Sequence, residues 1–418
     1  MTALITVVGT GTGGAYDTGV LSGAGLVVGA RRHLDAAPLP EAAERVVLGP
    51  LAPALDVVAE HLAARRRVVV LASGDPGFFG IVRALAERFG PKRLDVRPGV
   101  SSVAAAFARI ALPWDDAVVV SAHGRDLRWA VNVCRARPKA AVLTGPGAGP
   151  AELGAALADP VCGERILVVA SALGEPGGER VERVTPAEAA ARDWGGAVNV
   201  VLCLDPARAL SGARTVAGAA PPPAGWALPE EAFAHRDSMI TKFEVRALAL
   251  ARLGPRLGDL VWDVGAGSGS VAVECARLGA AVVAVEKDAD GVARVRANAA
   301  AHGVDVAVVH GRAPEALAGL RDDPDAVFVG GGGRELPTVV AACARRARRT
   351  VVVALAALDR VPVARAALTE AGFVCDGVLL HSSRLAPLPG DVTRLAAANP
   401  VFLLWGERPA ASSEGVVQ

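Results

Sequence analysis

Residues 261–269 read VWDVGAGSG, and Glu286 lies 21 residues beyond Gly265. An apolar run from Leu260 to Val264 enters a turn that holds Gly265, Gly267 and Gly269, and the pattern predicts a helix starting near Ser270. Glycines at such a turn let backbone N–H groups and a helix N-terminus come close to a ligand. The next apolar run, from Ala280 to Val285, ends on Glu286, an acid placed to accept ribose hydroxyls. A dinucleotide fingerprint would place its third glycine three residues after the second, where this chain has Ser270. The pattern is instead D-x-G-x-G-x-G, led by Asp263 and including Ala266 and Ser268 within the turn.

That arrangement resembles motif I of S-adenosylmethionine-dependent methyltransferases. Other parts of the second half suit the same chemistry. The segment His310-Gly311-Arg312-Ala313 follows a predicted strand, and the backbone near Ala313 is a candidate to face an adenine ring. The strand 325–329 runs into Gly330-Gly331-Gly332-Gly333, which allows a ligand close approach at the carboxyl edge of a sheet. Upstream, Thr241 is expected to cap the helix 242–253, with Glu244 completing a capping box.

The first half carries three further strand-end turns. They are Val8-Gly9-Thr10-Gly11-Thr12-Gly13-Gly14, Ser73-Gly74-Asp75-Pro76-Gly77-Phe78, and Pro98-Gly99-Val100-Ser101-Ser102. The first lacks a ribose acid about 20 residues on, where Val27-Val28-Gly29 stands, which argues against a dinucleotide. Ser101 or Ser102 is placed to cap a helix through Ile110. Together the three turns can line one cleft. His123 and Arg125 come after the predicted strand at 117–121 and could reach a substrate.

The elements that must position these residues alternate in the α/β manner. Strands are predicted at 4–8, 68–72, 117–121, 140–143, 165–169 and 199–204, with helices at 54–65, 80–89, 101–111, 151–158 and 186–192. The second half repeats the style, with strands at 260–264, 282–286, 304–310, 326–329, 350–354, 377–380 and 401–405. Its helices are expected at 242–253, 270–279, 288–302, 335–347 and 360–371. A Pro/Ala/Gly linker at 211–229, holding Pro221, Pro222 and Pro223, divides the chain into domains at 1–210 and 230–418.

With 418 residues the chain is long enough for two or three cores, and 52% of it is hydrophobic. A net charge of +1 gives no broad pull toward nucleic acid or a membrane surface. The six cysteines are widely spaced with no C-x-x-C pair, so buried thiols are expected rather than a disulfide framework or a metal site. No apolar run reaches 18 residues, and the opening MTALITVVGTG lacks the charged start of a signal peptide, so a cytoplasmic protein is expected. The run Arg345-Arg346-Ala347-Arg348-Arg349 is read as a solvated helix end that complements the helix dipole.

Residues 235–405 resemble the CbiT family of decarboxylating precorrin methyltransferases through "ITKFEVRALALARL", "WDVGAGSGSVAVECA", "GRAPEAL" and "AVFVGGGGRELP". The resemblance implies a Rossmann-like class I domain in which Thr241, Gly265, Ala266, Gly267, Ser268, Gly269, Glu286 and Ala313 contact S-adenosylmethionine. It also suggests an antiparallel hairpin for the last two strands. Residues 1–205 resemble the CbiE branch of the tetrapyrrole methylases, an α/β fold of two subdomains, through "LASGDPGFFGI", "PGVSSVAAAFARIALPWDDAVVVSAHGR" and "LTGPGAGP". That likeness carries S-adenosylmethionine contacts to Gly9, Ser73, Gly74, Asp75, Phe78, Ser101, Ser102 and Leu143. The opening turn departs from this family, which more often has a proline where this chain has Thr12.

A CbiE-like half joined to a CbiT-like half resembles the fused precorrin methyltransferases of cobalamin biosynthesis. The resemblance implies two S-adenosylmethionine sites per chain and methylation of precorrin-6Y at carbons 5 and 15, and it assigns carbon 5 to the first half and carbon 15 with the decarboxylation to the second. Carbon dioxide would leave the ring C acetate, giving precorrin-8X. Positioning and exclusion of water can supply much of such a methyl transfer, and the macrocycle itself can act as electron sink. No triad, metal cluster or catalytic thiol is therefore required, and the catalytic residues stay open. The substrate bears many carboxylates, which makes Arg125, Arg236, Arg334 and Arg384 candidates to bind it, with His123 and Gly331 beside them. Three alternatives stand beside this reading: a cobalt-bearing substrate, an RNA methyltransferase, and a non-catalytic adenosine-nucleotide sensor. A homo-oligomer is the default expectation.

Overall fold

Short runs of valine, leucine and alanine form the strands, since β-branched and small apolar side chains fit a sheet covered on both faces. The computed structural model describes residues 5–10, 18–159, 163–210, 216–218, 225–236, 240–331 and 333–409. Residues 11–14 of the opening turn, Cys162, most of the linker 211–229 with its three prolines, 237–239 and Gly332 lie outside the described residues.

The first sheet holds β1 (Ile5–Thr10), β2 (Leu26–Gly29), β3 (Glu44–Val47), β4 (Val68–Ser73) and β5 (Leu94–Arg97). All are parallel, in the order β3-β2-β4-β1-β5. The second sheet holds β6 (Val118–Ser121), β7 (Lys139–Leu143), β8 (Ile166–Ser171), β9 (Arg180–Val184) and β10 (Asn199–Leu204), in the order β6-β7-β10-β8-β9. Only β6 and β7 are parallel there.

The third sheet contains β11 (Leu260–Val264), β12 (Ala281–Glu286), β13 (Ala307–His310), β14 (Ala326–Val329), β15 (Thr350–Leu355), β16 (Val374–Leu380) and β19 (Val401–Glu407). Its order is β13-β12-β11-β14-β15-β19-β16, parallel through β15, with β19 antiparallel to both neighbours. Trp262 at the centre of β11 is fully buried, beneath the Arg346 guanidinium 4.6 Å from its ring centroid.

Contacts divide the chain into two compact units. One comprises Met1–Asp126, Lys139–Ala158 and Arg165–Ala219, and the other Leu127–Pro138, Asp159–Glu164 and Ala220–Gln418. The helix Leu127–Ala136 thus belongs with the second unit, where the Asn132 side chain donates to the Gly258 carbonyl at 3.0 Å. Among the described residues, no helix is long and apolar enough to cross a membrane.

Three expectations change. The final strands β16 and β19 do pair antiparallel, but they are not a tight hairpin: β17 (Ser383–Leu388) and β18 (Val392–Ala397) form a separate two-stranded ribbon between them. The arginine run at the end of Leu336–Arg346 is only partly a solvated face, since Arg345 and Arg348 are exposed but Arg346 and Arg349 are committed to the fold. Arg346 binds Asp323 and the carbonyls of Leu317 and Leu320, and Arg349 binds Asp259 and the carbonyls of Leu253 and Gly254. Finally, Thr241 forms no capping box. The helix begins at Phe243 with Lys242, whose side chain has no acceptor, in the cap position, and Glu244 is in an ion pair with Arg384.

Candidate functional site

In the second unit, the three glycines of the turn after β11 all have positive φ, at +75° for Gly265, +57° for Gly267 and +72° for Gly269. Only glycine adopts that backbone without strain. A Cβ at Gly265 would lie 3.2 Å from the Gly331 nitrogen, and one at Gly269 would strike Val295 at 2.9 Å. Among the described residues nothing lies within 4 Å of a Cβ at Gly267, as a surface that receives a ligand requires. The turn is pinned from below: the Asn298 side chain donates to the Ser268 carbonyl at 2.7 Å and exchanges two hydrogen bonds with the Ala234 backbone.

Two carboxylates close the turn. Glu286, 5% exposed at the end of β12, accepts from the Gly267 N–H at 2.8 Å and from the Asp288 N–H at 2.9 Å. Its approach needs Gly291, whose Cβ would come within 2.6 Å of the Glu286 Cγ. Asp263 accepts from the Ala272 N–H at 3.0 Å and so satisfies an amide in the first turn of Ser270–Arg277, a helix with no capping side chain of its own. Among the described residues its Oδ1 has no hydrogen-bond partner. Burial pushes the Asp263 carboxyl up to about 7; the Ala272 N–H opposes this and the charge of Glu286 adds to it.

The folded state therefore holds a proton on Asp263 between about pH 4 and 7 that the unfolded chain has lost. Stability falls as pH rises through that window. Asp263→Asn keeps an acceptor for Ala272 and removes the titration. Chemical denaturation at pH 5 and pH 8 is expected to show the wild type losing about 2–4 kcal/mol relative to the variant. Parallel pH profiles would refute this.

A cleft of about 900 Å³ opens beside the turn, lined by Gly265, Gly267, Glu286, Ala313, Gly331, Arg236 and Arg334 among others. A second cavity of about 350 Å³ shares Gly265 and Gly267 and adds Thr241, Ala266, Ser268 and Asp263. Arg384 is engaged elsewhere, with its guanidinium held by Glu230 and Glu244. Burial opposes ionisation of Glu230, but hydrogen bonds from Arg384 and the Phe243 N–H outweigh it and hold the carboxyl at about 2.

In the first unit, the three strand-end turns meet at their glycines. A Cβ on Gly9 would lie 2.1 Å from the Gly74 oxygen and 2.3 Å from the Gly99 nitrogen. The Gly74 N–H donates to the Thr10 carbonyl at 2.7 Å, and the Gly99 N–H to the Gly74 carbonyl at 3.3 Å. Gly74 also packs on Ser101, whose hydroxyl accepts from the Ala104 N–H and caps Ser102–Arg109. Asp75 accepts from the Gly77 N–H and shapes its own turn.

Leu143 ends β7 and accepts from the Ala122 N–H, while Gly145 abuts His123. Phe78 and Phe79 stand exposed in an edge-to-face pair, with the Arg125 guanidinium 6.0 Å from the Phe79 ring centroid. Sequence reasoning passed over Thr10, Arg32 and His33, which join Ser73 at this carboxyl edge. The signal was present, because Arg31-Arg32-His33 comes soon after the short apolar run 26–29.

Residues 5–190 match the tetrapyrrole (corrin/porphyrin) methylases, and residues 231–405 match the precorrin methyltransferase domain. A Sinorhizobium protein named precorrin-6Y C(5,15)-methyltransferase [decarboxylating] is 37% identical over 420 residues, spanning 97% of this chain and 94% of its own. This chain belongs to the precorrin-6Y C(5,15)-methyltransferase family. A Pyrobaculum calidifontis protein named as a probable cobalt-precorrin-6B C(15)-methyltransferase (decarboxylating) is 37% identical over 184 residues, 42% of this chain and 93% of its own. The solved C-terminal domain of the Rhodobacter capsulatus precorrin-6Y C5,15-methyltransferase is 33% identical, covering 44% of this chain and 97% of that one, with a TM-score of 0.39.

As a member of the precorrin-6Y C(5,15)-methyltransferase family, the chain is an S-adenosylmethionine-dependent C-methyltransferase of α/β fold in the methylation chemistry of cobalamin biosynthesis. A tetrapyrrole-methylase half precedes a methyltransferase half of Rossmann-like form.

Proposed function

We propose that this chain methylates precorrin-6Y at carbon 5 through an S-adenosylmethionine site in the first unit, and at carbon 15, with loss of carbon dioxide from the ring C acetate, through a second such site in the second unit. The observation that carries the reading is the presence of two unlike glycine-built strand edges in one chain. One joins Gly9, Gly74 and Gly99, and the other joins Gly265, Gly267 and Glu286. A substrate methylated at two different carbons calls for two differently shaped sites.

The residues present suit the cofactor. Glu286 is a buried carboxylate at a strand end, directed at the glycine turn, and can exchange its backbone partners for ribose hydroxyls. Gly267, with no described residue within 4 Å of its missing Cβ, leaves room for the ligand, and Ala313 and Gly331 line the same cleft. When bound, S-adenosylmethionine supplies a sulfonium methyl group to an electron-rich carbon of the macrocycle. The chain's contribution is to hold both partners in line and to keep water out. Arg236 and Arg334 on the rim of the 900 Å³ cleft can take carboxylates of the substrate. In the first unit, Asp75 holds the turn that carries Gly74, and Phe78, Phe79 and Arg125 present an apolar face with a cation beside it.

Titration calorimetry with S-adenosylmethionine is expected to give two sites per chain. Asp75→Ala should weaken one of them about tenfold or more and leave the other unchanged, since a turn-setting carboxylate is lost. Incubation with precorrin-6Y should yield a product bearing two added methyl groups and lacking one carbon dioxide. A single site, or double methylation with the acetate retained, would refute the proposal.

A further inference from the structure

The residues at the carboxyl edge of β1 and β4 form a hydrogen-bonded chain whose direction can be worked out proton by proton. The Thr10 hydroxyl donates to the Ala72 carbonyl at 3.1 Å, so its oxygen can only accept from the His33 Nδ1, 3.0 Å away. His33 therefore carries its proton on Nδ1. In the neutral ring Nε2 is bare, and 2.9 Å away it accepts from the Ser73 hydroxyl. Ser73 in turn accepts from an Arg32 guanidinium N–H at 2.6 Å. His33 is 3% exposed, and burial, with the charge of Arg32 next, lowers its pKa to about 4, so the neutral ring is the form present at neutral pH.

This chain fixes one end of an exposed arginine. A guanidinium has five donors, and the only hydrogen bond of Arg32 among the described residues is the one to Ser73. Ser73 directly precedes Gly74, where the three turns of the first unit meet. Arg32 thus stands at the proposed first site with a planar fork already oriented, and a fork of that kind suits a carboxylate. Ordering the side chain before binding lowers the entropy cost of the contact.

We infer that Arg32 binds a carboxylate side chain of the tetrapyrrole at the first site, and that His33 is the positioning residue that holds it there by way of Ser73. The inference rests on the two-site reading above. The same chemistry would also suit the carboxylate of S-adenosylmethionine, and the two sources separate by measurement.

Carbon 5 methylation is tracked by mass gain on the full chain, with S-adenosylmethionine binding titrated in parallel. Arg32→Gln is expected to raise KM for precorrin-6Y about 10- to 100-fold, the worth of one charge-assisted hydrogen bond, with cofactor affinity within about twofold of wild type. Arg32→Lys should recover part of the loss. His33→Asn, which cannot reach Ser73, should raise KM several-fold with kcat unchanged. His33→Gln, which returns an acceptor near the Nε2 position, should restore it. Should the buried His33 variants fail to fold, the exposed Arg32 pair still decides.

An unchanged KM in Arg32→Gln overturns the inference and leaves the two-site reading standing. Loss of cofactor affinity in step with activity assigns Arg32 to the cofactor and likewise overturns it. A wild-type chain that neither binds nor methylates the tetrapyrrole at carbon 5 overturns both.

Discussion

Replacing Glu286 by alanine is expected to weaken S-adenosylmethionine binding at the second unit by about 100- to 1000-fold, which corresponds to two charge-assisted hydrogen bonds to ribose hydroxyls. Methylation at carbon 15 and release of carbon dioxide should fall with it, while methylation at carbon 5 continues. The size of the effect comes from the setting. The carboxylate is buried, takes the N–H groups of Gly267 and Asp288, and is enclosed so closely that Gly291 has no room for a side chain. Alanine removes the acceptor of the ligand and also the tie that shapes the glycine turn. Glutamine, which keeps one carbonyl oxygen as acceptor, should recover part of the affinity. Calorimetry on the full chain, with products separated by mass, reads both sites at once. Equal loss at both carbons, or no loss at either, would remove Glu286 from the proposed role.

Gly9→Ala should do the complementary damage. The new methyl group would sit 2.1 Å from one backbone atom and 2.3 Å from another, and neither Gly74 nor Gly99 has a flexible side chain to move aside. The three turns must part, and Gly9 lies in β1, which pairs with both β4 and β5. A loss of about 3–5 kcal/mol is expected from the first unit, at the upper end for a single substitution. Hydrogen exchange across 5–10 and 68–73 would report it, together with loss of methylation at carbon 5 alone. Gly49→Ala serves as the control: nothing lies within 4 Å of its missing Cβ and its φ is not positive, so its effect should stay within about 1 kcal/mol. If both variants behave alike, backbone crowding is not what Gly9 prevents.

The sequence was most readable where one physical requirement selects one residue type. The turn at 265–269 needs positive φ at three alternate positions, and glycine stands at each. Strands β10, β11 and β14 fall at the positions the apolar runs predict, because β10 and β11 are long enough to stand out and β14, though short, runs directly into four glycines. The short strands β2, β3, β5 and β9 were passed over. In a chain that is 52% hydrophobic, a four-residue run such as LVVG has little contrast with its surroundings, and ERVV and LDVR carry charges because those strands lie at sheet edges.

Side-chain commitments were less readable, since a residue's partners are set by what folding brings beside it. Thr241 and Glu244 have the spacing of a capping box, yet Arg384, 140 residues further on, takes Glu244. Four arginines in five residues look like a solvated end, yet Asp323 and Asp259 draw Arg346 and Arg349 inward.

What the sequence determined by itself is local. The glycine turns, the strand-end acid Glu286 and the alternation of strand and helix arise from backbone sterics and periodicity, which act over a few residues. The tertiary structure alone decided which of the distant pieces meet. It brought Gly9, Gly74 and Gly99 into mutual contact across 90 residues of chain and threaded Thr10, His33, Ser73 and Arg32 into one hydrogen-bonded line. It also set Asn298 beneath the glycine turn. Such meetings depend on the order of strands in a sheet and on which polar groups are left to satisfy one another once buried, and neither is written in the spacing of residues along the chain.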